Sequence, residues 1–381
     1  MKICFIVCEY NPLHNGHVYQ LSHAKACTHA DYVVGIMSGN ATQRGELAIA
    51  DKYLRGEWAI RAGMDMVVEL PTEYATASAQ GFACGAIKIA SAFRGERALL
   101  FGTEEQDLQA LARIARLLYE PPESLQSAIR AGLQRGKGYA TAVATALSEC
   151  PDLPDYPSSA NDILAIEYLR EILRRQADIS PHALQRVGDG YRDTAASGQY
   201  ASATALRLAH ARGDRATLCK YMPSYVCDTL PSPIDTNKLG AILAYAAITH
   251  PDPTAVCGIK EGLHNRIRRI CACNTDYDAI VRAITTTRYS SATVRRALLA
   301  LALDQRISLP QLLETPISHI NVLAIRPSAR GLLSAIDLPI FTARFAQEQA
   351  IGCDVTARCD RLHALLFPAD DVQMHVVTDT D

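Results

Sequence analysis

The first hundred residues predict an α/β fold built on a parallel sheet that helices cover on both faces. Four apolar runs have the length of buried strands, at 3–7, 32–37, 66–70 and 99–101. The segments between and after them have the length of helices, at about 16–30, 51–63, 77–92 and 105–118. Strands that alternate with helices are typical of βαβ units. Uninterrupted apolar runs are typical of strands that are buried on both faces of a sheet.

A helical insertion follows the fourth predicted strand, over about 119–177. Its best-defined helix is 161–175, where apolar residues recur at helical spacing. A short run at 183–187 then predicts one more strand, and 202–211 predicts another helix. We expect these elements to complete a first domain over 1–215.

The second part of the chain has a different pattern. Prolines punctuate its start, and from 237 to about 350 the pattern is helical nearly throughout. We therefore predict an all-helical C-terminal domain over 216–381, with a frayed acidic end after residue 368.

The composition excludes several classes of protein. Of the 381 residues, 49% are hydrophobic and 20% are charged, which is typical of a globular chain, and no apolar run approaches the ~20 residues of a membrane helix. The net charge of −2 excludes a wholly basic nucleic-acid coat protein, although not a local basic face. The first apolar run is too short for a signal peptide, and the 12 cysteines show no paired CxxC spacing. We expect a cytoplasmic protein with reduced thiols, no membrane contact and no protein-held metal; the oligomeric state stays open.

The strongest chemical signal lies directly after the first strand, in the run Glu9-Tyr10-Asn11-Pro12-Leu13-His14-Asn15-Gly16-His17. Ligands of open parallel sheets bind outside the carboxyl ends of the strands, and a helix N-terminus offers N–H groups to phosphate. His14 and His17 are three residues apart, so both can face a phosphate chain. Gly16 permits a close approach of a ligand to the backbone. The alternative is an ordinary pair of helix-cap histidines.

A second candidate phosphate site lies at the start of the predicted helix 202–211. The hydroxyls of Ser202 and Thr204 can either cap this helix or bind β- and γ-phosphates, and Arg207 adds positive charge. An ordinary Ser/Thr helix cap is the alternative.

The two stretches together resemble the HxGH nucleotidylyltransferase superfamily, which has a Rossmann-like parallel sheet. His14-Asn15-Gly16-His17 matches its first motif, and the segment from Tyr200 to Arg207 is similar to its late Ser-Ser/Thr-Thr-x-Ile-Arg motif. This resemblance implies that His14 and His17 are catalytic. In that superfamily the two histidines stabilise the charge that develops when a nucleophile attacks the α-phosphate of a nucleotide.

Further motifs resemble one family, the bacterial tRNA(Met) cytidine acetate ligases, over nearly the whole chain. They are Met37-Ser38-Gly39-Asn40, Gln43-Arg44-Gly45-Glu46, Asp51-Lys52, Val67-Val68-Glu69-Leu70-Pro71, Phe101-Gly102-Thr103-Glu104, Asn161-Asp162-Ile163-Leu164-Ala165-Ile166-Glu167-Tyr168-Leu169 and Glu261-Gly262-Leu263-His264-Asn265-Arg266. The family forms acetyl-adenylate from acetate and ATP, and then acetylates N4 of the wobble cytidine in elongator tRNA(Met). The resemblance thus implies ATP as a co-substrate, Mg²⁺ carried by ATP, and acetate and elongator tRNA(Met) as partners.

The resemblance also implies a set of ATP-binding residues. These are Val7, Cys8, Glu9, Tyr10, Asn11, Pro12, Leu13, His14, Asn15, Gly16, His17, Val18, Tyr19, Gln20, Gly102, Asn161 and Arg186, together with Ser202, Thr204 and Arg207 of the late motif. Without the family, Gly102 would be a turn glycine, Asn161 a helix cap and Arg186 a charge on an edge strand.

A basic segment at 260–296 is the candidate tRNA-binding surface, with eight Lys or Arg against three Asp or Glu. The candidate residues are Arg266, Arg268, Arg269, Arg288, Tyr289 and Arg296, of which the tyrosine can stack on a base. The alternative is a solvated helical face. Thr287, Thr293 and Asn321 stand where the family pattern has basic residues. These departures leave two further functions open: a nucleotidyl or adenylyl transferase with a different small acceptor, and a nucleotide- or RNA-binding protein without turnover.

Overall fold

A seven-stranded sheet forms the centre of the protein, in a computed structural model that describes residues 1–104, 107–149, 156–186, 200–260, 262–342 and 354–367. The strands are β1 (Lys2–Cys8), β2 (Tyr32–Ser38), β3 (Met66–Leu70), β4 (Glu96–Thr103), β5 (Ser180–Gln185), β6 (Ile320–Ile325) and β7 (Ile340–Phe341). Their order in the sheet is β5-β4-β1-β2-β3-β6-β7. The first five strands are parallel, and β6 pairs antiparallel with β3.

Helices cover both faces of this sheet and form most of the region after residue 215. They are α1 (Asn15–Thr28), α2 (Lys52–Arg61), α3 (Thr72–Ala75), α4 (Ala79–Ser91), α5 (Leu108–Tyr119), α6 (Glu123–Gln134), α7 (Tyr139–Ser148), α8 (Ala160–Arg175), α9 (Ala203–Ala211), α10 (Arg215–Tyr221), α11 (Ser224–Thr229), α12 (Thr236–Thr249), α13 (Leu263–Cys271), α14 (Tyr277–Ile284), α15 (Ser291–Leu303), α16 (Leu309–Glu314) and α17 (Asp354–Leu366). Short 3₁₀ helices occur at Pro253–Ala255 and Pro327–Ala335. Across these ranges, no helix is both long enough and apolar enough to span a bilayer.

The α/β class and the first four strands are confirmed. Successive residues of β1 alternate between two cores, with Ile3 and Phe5 on one face of the sheet and Cys4 and Ile6 on the other. Such burial on both faces explains the uninterrupted apolar runs in the sequence. The fifth strand begins at Ser180, before the predicted start, because Pro181 and His182 interrupt its apolar pattern.

The prediction of an all-helical C-terminal domain over 216–381 is wrong. β6 and β7 lie within it, and β6 joins the sheet through the pairs Met66↔Ile325 and Val68↔Val322. Every residue of β6 is buried, and a buried apolar run of six residues cannot be told from a helix segment by periodicity. The domain boundary at residue 215 stays a prediction. The predicted fraying of the acidic end after residue 368 also stays a prediction, because that segment lies outside the described residues.

Buried charge holds the C-terminal helix α17 against the sheet. Lys52 Nζ lies 2.9 Å from Glu69 Oε1 and 2.7 Å from Asp360 Oδ2, and the Lys52 and Glu69 side chains are each only 1% exposed. Asn321 of β6 donates to the same Glu69 carboxylate at 2.9 Å. This cluster joins β3, α2, β6 and α17 into one packed unit.

Candidate active site

A cavity opens at the carboxyl edge of the sheet, where the strand order reverses between β1 and β4. β1 pairs with β2 on one side and with β4 on the other. The edge between β1 and β4 is therefore the switch point at which open α/β sheets bind ligands. The residues after β1, the ends of β4 and β5, the loop 42–46 and the starts of α8 and α9 all contribute to the lining.

The two histidines of the HxGH motif stack on each other at the start of α1. Their ring centroids are 3.7 Å apart and the ring planes are inclined by 21°. His14 precedes the helix, and its carbonyl accepts the N–H of His17 at 2.8 Å. A Cβ atom on Gly16 would lie 3.1 Å from the His14 ring, so glycine permits this packing. The two rings therefore lie side by side at the mouth of the helix; that both face a phosphate chain stays a prediction.

Both histidines are neutral donors rather than cations. Burial, with the charges of Arg186 and Arg207, lowers the pKa of His14 to about 3. Burial and the neighbouring His14 lower the pKa of His17 well below its ordinary value. Nδ1 of His17 accepts the backbone N–H of His14 at 3.3 Å, so the proton of the neutral ring resides on Nε2. The His14 side chain in turn faces the backbone N–H of His17, the reciprocal contact of a capping box, although its buried Nδ1 makes no hydrogen bond of regular geometry in the described part of the chain.

Arginines supply the positive charge of the cavity. Arg44, Arg186 and Arg207 line it, together with the N-terminal end of α1. Arg207 donates to the carbonyl of Asn11 at 2.8 Å, which fixes its guanidinium beside the HxGH loop. Three guanidinium groups and a helix N-terminus suit a polyphosphate.

Gly102 and Arg186 form one side of the cavity. The backbone N–H of Arg186 donates to the carbonyl of Thr103 at 2.8 Å, and its side chain runs across Gly102, where a Cβ atom would lie 3.1 Å from Cγ. Asn161, in the first turn of α8, donates to Glu104 at 2.7 Å. Gly102, Asn161 and Arg186, which are distant in the chain, thus line a single cavity.

An apolar wall faces these polar groups, and the sequence analysis missed it. It consists of Phe82, Phe101, Leu164, Tyr168 and Leu184. These residues come from four elements, α4, β4, α8 and β5, of which α8 supplies two at a spacing of four residues, so only the folded chain brings the whole set together. An apolar wall suits a nucleobase or a small acyl group.

The loop after β2 also reaches the cavity and connects it to the C-terminal helices. Glu46 lies 2.6 Å from Arg295 of α15 and 3.6 Å from Arg207. Gly45 has a φ of +75°, and a Cβ atom there would lie 2.4 Å from the backbone nitrogen of Arg296, so only glycine fits at this contact. The motif Gln43-Arg44-Gly45-Glu46 was the available signal for this loop.

Most of the residues expected to bind ATP line the cavity, and five do not. The five are Pro12, Leu13, Asn15, Val18 and Ser202. Leu13 lies in the core, and Asn15 donates to the carbonyl of Lys220 at 3.4 Å. Ser202 is buried, and its Oγ accepts the N–H of Ala205 at 3.1 Å, which is the helix-cap role that the sequence left open. Thr204 and Arg207 do face the cavity.

The candidate RNA-binding residues fall into two groups. Arg266 and Arg268 donate to carbonyls at the ends of α14 and α12, including Ile284 at 3.1 Å. Arg296 donates to the carbonyl of Gln43 at 3.1 Å. In contrast, Arg269 and Arg288 are exposed, and the Arg288 guanidinium lies 6.0 Å from the Tyr289 ring centroid. A tRNA contact by these residues stays a prediction.

Among the residues that the structure describes, no three His, Cys, Asp or Glu side chains form a group that could hold a metal ion. The carboxylates in the described lining are Glu9 and Glu46, and two arginines hold Glu46. This donor set fits a magnesium ion whose ligands are mainly phosphate oxygens and water.

A mainly parallel sheet with a histidine pair at its switch point is the arrangement expected of a nucleotidyl transferase. The chain belongs to the HIGH Nucleotidyl Transferase family, whose model matches residues 1–376. It is 32% identical over 356 residues to a tRNA(Met) cytidine acetate ligase of Thermoanaerobacter sp. (strain X514), covering 90% of this chain and 88% of the relative. The relative of that name in Acetivibrio thermocellus is 32% identical over 357 residues, with 88% and 86% covered.

Solved structures agree with these relatives. Apo TmcAL of Thermotoga maritima superposes with a TM-score of 0.87 at 28% identity, over 97% of this chain and 96% of that one. The same protein bound with alpha-thio ATP gives 0.84 at 27% identity, with 97% and 95% covered. Within the HIGH transferases, the chain belongs to the tRNA(Met) cytidine acetate ligase family, as the motifs predicted.

Proposed function

We propose that this protein activates acetate with ATP to acetyl-adenylate and then acetylates N4 of the wobble cytidine of elongator tRNA(Met). The observation that carries this proposal is the stacked, neutral pair His14 and His17, in a cavity lined by three arginines among its described residues. Similarity to tRNA(Met) cytidine acetate ligases over most of the chain supports the choice of substrates. Since tRNA and ATP meet in the cytoplasm, we place the reaction there.

The first step needs positioning rather than a base. Acetate has a pKa near that of a glutamate side chain, about 4.3, so at neutral pH it is already an anionic nucleophile. An acetate oxygen attacks the α-phosphorus, and pyrophosphate leaves. Nε2–H of His17 donates to the α-phosphate oxygens, where negative charge develops. Arg44 and Arg207 bind the leaving pyrophosphate, and a Mg²⁺ ion carried by ATP would neutralise further phosphate charge.

The nucleoside lies on the side of β4 and β5. Gly102 leaves room beside the Arg186 side chain, and Asn161 lies in the first turn of α8. The ring system of adenine packs against the wall formed by Phe82, Phe101, Leu164, Tyr168 and Leu184. These contacts hold ATP with its α-phosphate near the histidines, which converts attack by acetate into a step within one complex.

The tRNA binds across the C-terminal helices. Arg269 and Arg288 are the exposed candidates for phosphate contact, and Tyr289 is the candidate for stacking on a base. Glu46 and Arg295 connect this surface to the cavity, because their ion pair joins the loop after β2 to α15.

The test is mass spectrometry of nucleosides from elongator tRNA(Met) after incubation with the protein, Mg²⁺, ATP and acetate, with pyrophosphate measured in the same tube. We expect N4-acetylcytidine that depends on acetate. Pyrophosphate without acetylcytidine would instead indicate a nucleotidyl transferase with another small acceptor. If neither pyrophosphate nor acetylcytidine forms, the protein binds its ligands without turnover.

A further inference from the structure

Acetyl transfer to cytidine releases a proton from the nucleophile, whereas the first step, in which the nucleophile is an acetate anion, does not. N4 of the cytosine attacks the carbonyl carbon of acetyl-adenylate, and a C–N bond forms. The bond between that carbon and the phosphate oxygen breaks, and AMP leaves with the electron pair. N4 begins with two protons and retains one in the acetamide product. Its lone pair is delocalised into the ring, so a proton acceptor is needed as the new bond forms.

Few groups in the cavity can accept that proton. The three arginines are cations, and the oxygens of Glu46 face Arg207 and Arg295. Burial lowers the pKa of His14 and His17, which makes both rings weak bases. Glu9 differs, because burial raises the pKa of its carboxyl group. Among these groups the Glu9 carboxylate is the one whose basicity burial increases.

The Glu9 side chain is held in place and retains one oxygen for a ligand. It is partly buried and lines the cavity directly after β1. Its Oε1 accepts the backbone N–H of Gln43 at 2.7 Å and the hydroxyl of Ser38 at 3.5 Å. Both hydrogen bonds that its carboxylate makes within the described ranges end on Oε1, so Oε2 is the atom that a substrate can reach. Arg55 fixes the backbone by donating to the Glu9 carbonyl at 2.6 Å.

Burial disfavours the ionised form of this carboxylate, and the neighbouring arginines favour it. Arg207 and Arg55 act to lower its pKa, against burial and the negative charge of Glu46. Two N–H or O–H donors on Oε1 also stabilise a carboxylate rather than a carboxylic acid. A negative group at this position is unsuited to bind a triphosphate. It is suited to an amino group, and carboxylates accept hydrogen bonds from cytosine N4 in nucleic-acid complexes.

We propose that Glu9 is the general base of acetyl transfer, with Oε2 accepting the N4 proton of the acceptor cytosine as N4 attacks acetyl-adenylate. This inference rests on the proposed function, since it concerns the second step of that reaction. It assigns the two steps to different groups: the histidines and arginines act on the phosphates, and Glu9 acts on the nucleophile.

The experiment measures the two steps separately in the same preparations. Acetate-dependent exchange of pyrophosphate into ATP reports the first step, and single-turnover acetylation of tRNA by added acetyl-adenylate reports the second. For Glu9→Gln we expect transfer to fall about 10²–10⁴-fold relative to exchange. Glu9→Asp, which retains a carboxylate, recovers part of the transfer rate. Glu96→Gln is the matched control, since Glu96 is exposed at the opposite end of β4 and should change neither step.

The pH profile distinguishes a base from a structural residue. Transfer by the unsubstituted protein should fall as the pH drops and Glu9 becomes protonated, whereas Glu9→Gln should lack that limb. Transfer by Glu9→Gln at the unsubstituted rate would overturn the inference, as would equal losses in both steps, which would assign Glu9 to nucleotide binding. If the unsubstituted protein shows neither exchange nor transfer, the proposed function fails, and the role of Glu9 fails with it.

Discussion

Substitution of His17 by alanine should nearly abolish adenylation of acetate. In the structure Nδ1 of His17 is occupied by the backbone N–H of His14 at 3.3 Å, so Nε2–H is the one donor that this ring offers to phosphate. Loss of one preorganised donor to developing charge typically costs about 10²–10³ in rate, or roughly 2.7–4 kcal/mol of transition-state stabilisation. The His14 ring also loses its stacking partner at 3.7 Å, so the upper part of this range is expected.

The assay is acetate-dependent exchange of pyrophosphate into ATP, measured for three variants. His17→Gln places an amide N–H near the position of Nε2 and should recover part of the loss. His23→Ala removes a histidine of the same helix that contacts Tyr19 and does not line the cavity, and it should leave exchange unchanged. Exchange by His17→Ala within about tenfold of the unsubstituted rate would refute the donor role, because tenfold corresponds to only about 1.4 kcal/mol.

Three further predictions concern stability and tRNA binding. Lys52→Met should cost about 3–5 kcal/mol in urea unfolding, because it leaves buried carboxylates without a counter-charge. The control Arg215→Met, at an ion pair with Asp228 in which both side chains are exposed, should cost about 1 kcal/mol or less, and equal costs would contradict the burial argument. Burial lowers the pKa of His363 to about 4, so below about pH 6.5 the unfolded chain takes up a proton that the folded chain does not, and stability falls by up to about 1.4 kcal/mol per pH unit. His363→Asn should lose that part of the slope in unfolding experiments between pH 7.5 and 5, and an unchanged slope would refute a neutral buried ring. Arg288→Ala should weaken tRNA binding and reduce the slope of log affinity against log salt by about 0.9, and filter binding with an unchanged slope would exclude a phosphate contact.

Local sequence patterns were enough to predict those elements whose signal lies within a short stretch of the chain. The four apolar runs identified the first four strands because burial on both faces leaves no polar interruption. The histidine pair and the helix start at Asn15 follow from nine consecutive residues. β6 was missed because its partner, β3, lies about 250 residues earlier, and a buried run of six residues has no diagnostic period.

In the candidate site, too, contacts between residues that are far apart in the chain leave no local sequence signal. The apolar wall and the ion pair of Glu46 with Arg295 depend on residues from separate elements, which no local spacing identifies. The basic segment predicted a surface from its charge alone, yet charge does not distinguish Arg288, which is exposed, from Arg266, whose guanidinium donates to the carbonyl of Ile284. That distinction depends on where the helix ends meet in the fold.

The fate of the acetate oxygens tests most directly the claim that acetate attacks the α-phosphate. The reaction is run with tRNA, ATP and acetate labelled with ¹⁸O at both oxygens, and AMP and the modified nucleoside are analysed by mass spectrometry. Attack on the α-phosphate predicts one ¹⁸O in the phosphate of AMP and one in the acetyl group of N4-acetylcytidine. Label in inorganic phosphate with ADP as product, or AMP without label, would contradict the account.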